Sequence, residues 1–176
     1  LMSPVDSVSV IAVDSLAHIM VAQQAVDNPA RIVSDVRRIE SMGGGIFVYT
    51  GLLAAGHEIL KAPQINKHIL LFSDSQDSEE PGDYKELLQD FVEAGITVSV
   101  VGLGQETDCD AEFLKDIAKR GEGSVYFTDD ADQLIQFFTA DTITYTRNSF
   151  VEDATPMRIE AAAYTISPEQ KWSDFA

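Results

Sequence analysis

Between residues 8 and 138, short β-branched runs alternate with amphipathic stretches of helical period, and that alternation leaves few folds open to the chain. Strands separated by helices pair in parallel, and a parallel sheet must be covered on both faces. The class is therefore α/β, with a doubly wound, mostly parallel sheet. Residues 68–72 (HILLF) are almost wholly apolar, as a strand buried on both faces requires. That strand delivers Ser73 and Asp74 at its carboxyl end, the edge where open α/β sheets usually hold ligands.

The other elements follow from the same reading. A strand over residues 8–13 ends at Asp14, and a short second one over 18–22 follows the turn at 15–17. Asp27-Asn28-Pro29 opens a helix that turns Ile32, Val33, Val36 and Ile39 inward and stops at Gly43-Gly44-Gly45, where the backbone is free to turn sharply. Thr50 is the expected cap of a helix carrying Leu52, Leu53, Ile59 and Leu60. Asp83 and Glu86 form the expected capping box of the next, with Leu87, Leu88, Phe91 and Val92, ended by Gly95. A strand over 96–101, a helix with Phe113, Leu114 and Ile117, a strand over 124–127 and a helix holding Leu134, Ile135 and Phe138 complete the pattern. Beyond Thr142 the character becomes extended, at 143–146 and 158–166, with Pro156 and Pro168 as interruptions. Residues 1–142 are thus expected to form one domain and 143–176 a connector or the start of another.

Charge and motifs narrow the function. With 12 basic against 29 acidic residues the net charge is −17, which disfavours nucleic acid and anionic membrane as direct partners, since both are bound through basic surface. The longest apolar runs have strand length, short of the ~18 residues of a membrane span, so no direct membrane insertion is expected of this chain. A single cysteine, Cys109, excludes an internal disulfide and a cysteine-rich zinc site. No Gly-x-Ser-x-Gly elbow occurs, Gly43–Gly45 lacks the lysine of a phosphate loop, and Gly102-x-Gly104 lacks the third glycine of a dinucleotide loop. His18, His57 and His68 have no metal-ligand spacing, which favours structural or surface roles. Asp77, Glu79, Glu80 and Asp83, with Glu106, Asp108 and Asp110, make an acidic rim if their loops rise from neighbouring strands.

Four stretches in order carry a resemblance. Residues 8–15, the glycine turn and helix start GGGIFVYTGLLAA at 43–55, Phe72-Ser73-Asp74-Ser75, and ITVSVVGLG at 96–104 together resemble the von Willebrand factor type A domain. The turn with Ile46-Phe47-Val48-Tyr49 is most similar to a bacterial envelope subgroup in which a glutamine-amidotransferase-like region follows. The resemblance implies a protein-binding module rather than an enzyme, inside a parent anchored in the bacterial envelope. In the family a divalent cation, here Mg²⁺, is held by an Asp-x-Ser-x-Ser loop after the first strand, a threonine in the glycine turn and the aspartate of a Thr-Asp-Gly element. This chain has no such loop ahead of Val8 and places Ile46 where the threonine belongs, so Asp74 alone survives as a metal ligand. A lone carboxylate makes a weak site, and Mg²⁺ is expected only in a longer parent.

The resemblance also implies a docking rim of Ser73, Asp74, Ser75, Gly43, Gly44, Gly45 and Ile46 for a protein partner. The rival readings are a phosphoacceptor or phosphohydrolase that uses Asp74 with Asp14 nearby, and a scaffold for the following amidotransferase-like region. In the resembled fold the missing first strand lies between residues 8–13 and 68–72. Two open ladders in a buried place are costly, so a filler is expected: residues 158–166, or a strand exchanged with a second copy in a homodimer. Direct pairing of the two halves is the alternative.

Overall fold

The computed structural model describes residues 2, 4–40, 45–74, 78, 79 and 82–146. Strand β1 (Ser7–Val13) and strand β2 (Ala17–Ala25) form an antiparallel hairpin. Its turn is fixed by Asp14, whose Oδ1 accepts from Leu16 N at 2.8 Å, the local bond that makes aspartate a turn former. Strand β2 is longer than the short strand read from the sequence. Helix α1 (Pro29–Val36) begins as expected, with Asn28 accepting from Arg31 N at 3.2 Å and Pro29 in the first turn. It ends at Val36, and Val33 and Ile39 are exposed rather than turned inward, because α1 lies on β2 at the margin of the fold.

Strand β3 (Ile46–Phe47) leads directly into helix α2 (Val48–Ile59). Phe47 is the N-cap residue and Thr50 lies inside the first turn, so the expected threonine cap is not used. Strand β4 (Lys67–Asp74) and strand β5 (Ser78–Glu79) precede helix α3 (Tyr84–Glu93). Asp83 is the N-cap of α3 but makes no side-chain cap bond. Strand β6 (Ile96–Leu103), helix α4 (Ala111–Arg120), strand β7 (Glu122–Thr128) and helix α5 (Ala131–Thr146) follow. Residues 143–146 are the last turn of α5, not an extended segment: the β-branched run there continues a helix that packs along β4 and β7.

Strands β4, β6 and β7 make a parallel sheet in the order β4-β6-β7, with Ile69 opposite Val98 and Leu71 opposite Val100. Val98 and Val100 face a core closed by Val48 and Leu52 of α2, Leu88 and Phe91 of α3, and Leu114 and Ile117 of α4. The other face meets α5, where Phe72 stacks on Phe138 and Tyr126 on Phe137. Strand β6 is buried almost end to end, as a strand with neighbours on both sides should be. At the start of β7, a Cβ on Gly123 would sit 2.1 Å from Val98 O, so only glycine lets the two strands approach.

No ladder joins β1 to β4 among the described residues, so the two halves do not pair directly. The fold is that of a doubly wound α/β domain with a mostly parallel sheet. Helix α2 spans the interruption. Gly51 packs on Val13 of β1, and Gly56 packs on Phe91 of α3; at each position a Cβ would come within 2.7 Å of the neighbouring side chain. Residues 158–166 lie outside the described residues.

Candidate functional site

The rim at the carboxyl ends of the strands is assembled by a two-residue ladder. Ile46 pairs with Ser78 and Phe47 with Glu79, in parallel, which lays the exit of the glycine turn against the segment that follows Asp74. Phe47 N also donates to Asp14 O at 3.1 Å, so the end of β1 joins the same rim. Ile46 and Phe47 thereby lie against Ser78 and Glu79, a few residues beyond the end of β4, where Ser73 is buried and Asp74 half-buried at the last position. Gly43, Gly44 and Ser75 lie outside the described residues, as do Asp77 and Glu80.

Tyr49, at the first turn of α2, packs under Gly82, which has φ of 45° and whose added Cβ would lie 2.7 Å from Tyr49 Cγ. Beyond Gly82 an open hollow of about 670 Å³ separates the starts of α3 and α4, lined by Asp83, Tyr84, Glu86, Asp110 and Phe113 with Lys85. Asp83 and Asp110 belong to the acidic rim read from the sequence. Tyr84 Oη donates to Asp116 Oδ2 at 2.7 Å, and Arg120 Nε lies 2.7 Å from the same oxygen. Arg120 holds the Asp116 carboxyl below its ordinary value, while burial first and Asp116 second push the Tyr84 phenol up.

Asp14 gains a partner that spacing alone did not reveal. His18 Nε2 lies 3.1 Å from both carboxylate oxygens, across the hairpin turn. The Leu16 amide and then His18 lower the Asp14 pKa. A carboxylate so engaged is poorly placed as second carboxylate of a phosphoacceptor site.

The second unforeseen cluster lies at the opposite end of the sheet. His68 Nε2 is 2.7 Å from Asp141 Oδ2, His68 Nδ1 is 2.7 Å from Thr97 Oγ1, and the imidazole stacks on Tyr145 at 4.2 Å with ring planes 2° apart. Two sequence signals point to it. His68 and Thr97 are ladder partners, and Asp141 and Tyr145 stand four apart on one face of α5.

Among the described residues the donor set does not make a complete divalent-cation site. Asp74 is the one carboxylate that the family resemblance assigns, Ile46 offers no side-chain oxygen, and no group of three or more His, Cys, Asp or Glu among the described residues could hold a metal ion.

The von Willebrand factor type A domain family matches residues 2–161. The chain belongs to that family. Among solved structures it is similar to an aerotolerance-related membrane protein from Bacteroides fragilis, with 15% identity, 79% of this chain and 80% of that one covered, and a TM-score of 0.63. A von Willebrand factor type A protein from Catenulispora acidiphila is 26% identical, covering 76% of this chain and 32% of that one, with a TM-score of 0.65. Proximal thread matrix protein 1 from the mussel byssus, described with zinc occupying its MIDAS motif, is 18% identical over 73% of this chain and 32% of its own, with a TM-score of 0.59. The chain therefore spans about a third of the Catenulispora and mussel proteins. No curated protein matches it. Type A domains are interaction modules, and metal binding at the MIDAS motif is a property of the family, as the mussel protein illustrates.

Proposed function

We propose that this type A domain is a non-catalytic protein-binding module whose docking edge is formed by Gly45, Ile46, Ser73 and Asp74, with Gly43, Gly44 and Ser75 completing it. The observation that carries this reading is the β3–β5 ladder, which ties the exit of the glycine turn to the loop after Asp74 and so makes one continuous rim from two distant stretches of chain. Strand ends of a doubly wound sheet are where such folds place ligands. In this chain the rim works without a complete cation site. The apolar Ile46 takes the place of an oxygen donor, and Asp74 serves as a hydrogen-bond acceptor for a donor group on the partner.

The parent is a bacterial membrane-associated protein, a reading supported by the description of the Bacteroides relative. No helix among the described residues is long and apolar enough to cross a membrane, so anchoring would fall to another part of the parent.

The test is capture of a partner by the immobilised chain from bacterial envelope extract, compared across variants. Ile46→Asp and Asp74→Ala should each lower the recovery of one specific protein by at least about tenfold, the effect of a 1.4 kcal/mol contact. Lys119→Ala, on α4 away from the rim, should leave it unchanged. Equal recovery by all four proteins would dismiss the rim as the docking edge.

A further inference from the structure

We propose that the β1–β2 hairpin comes off α2 as one body, and that Glu58, in the last turn of α2, is the latch that also keeps the Asp14 corner of the rim closed. The opening is read from the hairpin's own amides, so it stands apart from whether the rim docks a partner.

The hairpin is built outside the continuous core. That core runs through α2, β4, α3, β6 and α4, and none of its buried members lies on β1 or β2. Every residue of β1 is half-buried, and Val21 is the one buried residue of β2. Units with few buried apolar contacts open at lower free energy than the core they sit on. Within itself the hairpin is well tied. Its ladder runs from Ser7 opposite Ala25 to Val13 opposite Ala17, and Asp14 closes the turn through Leu16 and His18.

Helix α2 holds this unit at points along its length. At the rim end, Phe47 N donates to Asp14 O at 3.1 Å. One turn further, Gly51 packs on Val13. In the last turn, Glu58 Oε2 accepts from Gln23 N at 2.9 Å, and Glu58 is 2% exposed. Gln64 adds neutral bonds at the base, to Val5 O and Ser7 Oγ. The donor to Glu58 comes from a bulge. Val8 faces Gln24 and Val10 faces Val21, so Ala22 and Gln23 share the single place opposite Ser9. The Gln23 N–H is turned out of the ladder, and the buried carboxylate takes it. Undocking strips both groups of this bond, and a bond to a charged acceptor is roughly twice as strong as a neutral one. Lys61 and His57, on the same helix, are the charges acting on Glu58, and Lys61 bonds its other oxygen from an exposed position.

Phe47 and Glu58 stand eleven residues apart, about 16 Å along a helix at 1.5 Å per residue. A change at Glu58 reaches the Phe47 amide only if the hairpin leaves α2 as a whole.

Native-state amide exchange on the full chain tests this. In the unmodified chain the Gln23 and Phe47 amides should share one opening equilibrium and exchange at least about 100-fold faster than β6. Glu58→Gln puts a neutral acceptor in place of the charged one and should speed both amides by on the order of tenfold, with β6 unchanged. Gly51→Ala brings a Cβ within 2.7 Å of Val13 Cγ2, crowding the middle of the same face, and should also speed both by a common factor. Acceleration of Gln23 with Phe47 unchanged, in either variant, would mean fraying at one end and overturn the proposal. Equal acceleration of β6, or hairpin amides as slow as β6 in the unmodified chain, would mean opening only by global unfolding and overturn it too.

Discussion

His68 Nε2 stands 2.7 Å from Asp141 Oδ2, and Asp141 is fully buried, so a hydrogen-bonding contact between the start of β4 and the last turns of α5 replaces the apolar packing found elsewhere on that face. Asp141 Oδ1 has no hydrogen-bond partner among the described residues. Nearly all of the compensation for burying this carboxylate therefore comes from one imidazole.

Asp141→Ala should cost about 3 kcal/mol in urea unfolding, because it strands His68 Nε2 and opens a hole under α5. Asp141→Asn keeps an acceptor for the imidazole and should cost about 1 kcal/mol. A loss of less than half a kcal/mol for the alanine variant would mean that the contact carries no stability, leaving α5 to be held by the packing of Phe137, Phe138 and Tyr145.

Glu58 gives the pH dependence. Its side chain is 2% exposed on α2, its Oε2 accepts from Gln23 N of β2 at 2.9 Å, and its Oε1 meets Lys61 Nζ. The hydrogen bond from Lys61, then that from Gln23, hold its pKa below the ordinary 4.5. A lowered carboxylate contributes stability that is present above the unfolded value and disappears as pH falls through the folded one. Stability measured by denaturation should thus decline below about pH 4.5, and Glu58→Gln should flatten that decline while costing about 1–2 kcal/mol at neutral pH. Lys61 is largely exposed, so most of this effect belongs to the Gln23 bond. An unchanged acid slope in the variant would assign the decline to Asp14 and Asp116, which are lowered in the same direction.

Two glycines separate backbone strain from crowding. Gly95 ends α3 with φ of 71° and has open space around an added Cβ, so Gly95→Ala should cost only about 1 kcal/mol of left-handed strain. Gly123 has the Val98 carbonyl in the way, and Gly123→Ala should cost about 3 kcal/mol or prevent folding. Thermal melts of the pair decide it: equal losses would contradict the close approach of β6 and β7.

Much of this architecture was legible in the chain because periodicity reports burial directly. The apolar runs at β4 and β6 and the helical stripes of α3 and α4 could be read as elements because each is covered by neighbours within the described residues. Where a neighbour is missing, the same reading overstated burial: Val33, Ile39, Ile135 and Phe138 carry an apolar pattern yet stand exposed. Capping chemistry was legible only locally. Asn28 caps as read, whereas Thr50 and Asp83 do not, because strand β3 runs straight into α2 and the loop before α3 bends at Gly82. At the rim, the sequence pointed to Asp74 and the glycine turn, but the Asp14–His18 contact depends on the hairpin turn and carries no spacing signal beyond i and i+4.

The rim's chemistry predicts weak cation binding. Octahedral Mg²⁺ takes one or two carboxylates together with other oxygens, Ile46 offers no side-chain oxygen, and Asp14 is committed to Leu16 and His18. Titration calorimetry of the chain with Mg²⁺ should show no saturable heat up to about 1 mM, the weak end of natural divalent sites. Ile46→Thr restores an oxygen donor at the glycine turn, 28 positions ahead of Asp74 in sequence but laid against its loop by the β3–β5 ladder. That single change should strengthen binding by about threefold to tenfold if the ladder sets the distance correctly, roughly the value of one added neutral ligand. Saturable binding by the unmodified chain at tens of micromolar, abolished by Asp74→Ala, would show that the site is complete and that oxygens outside the described residues finish it.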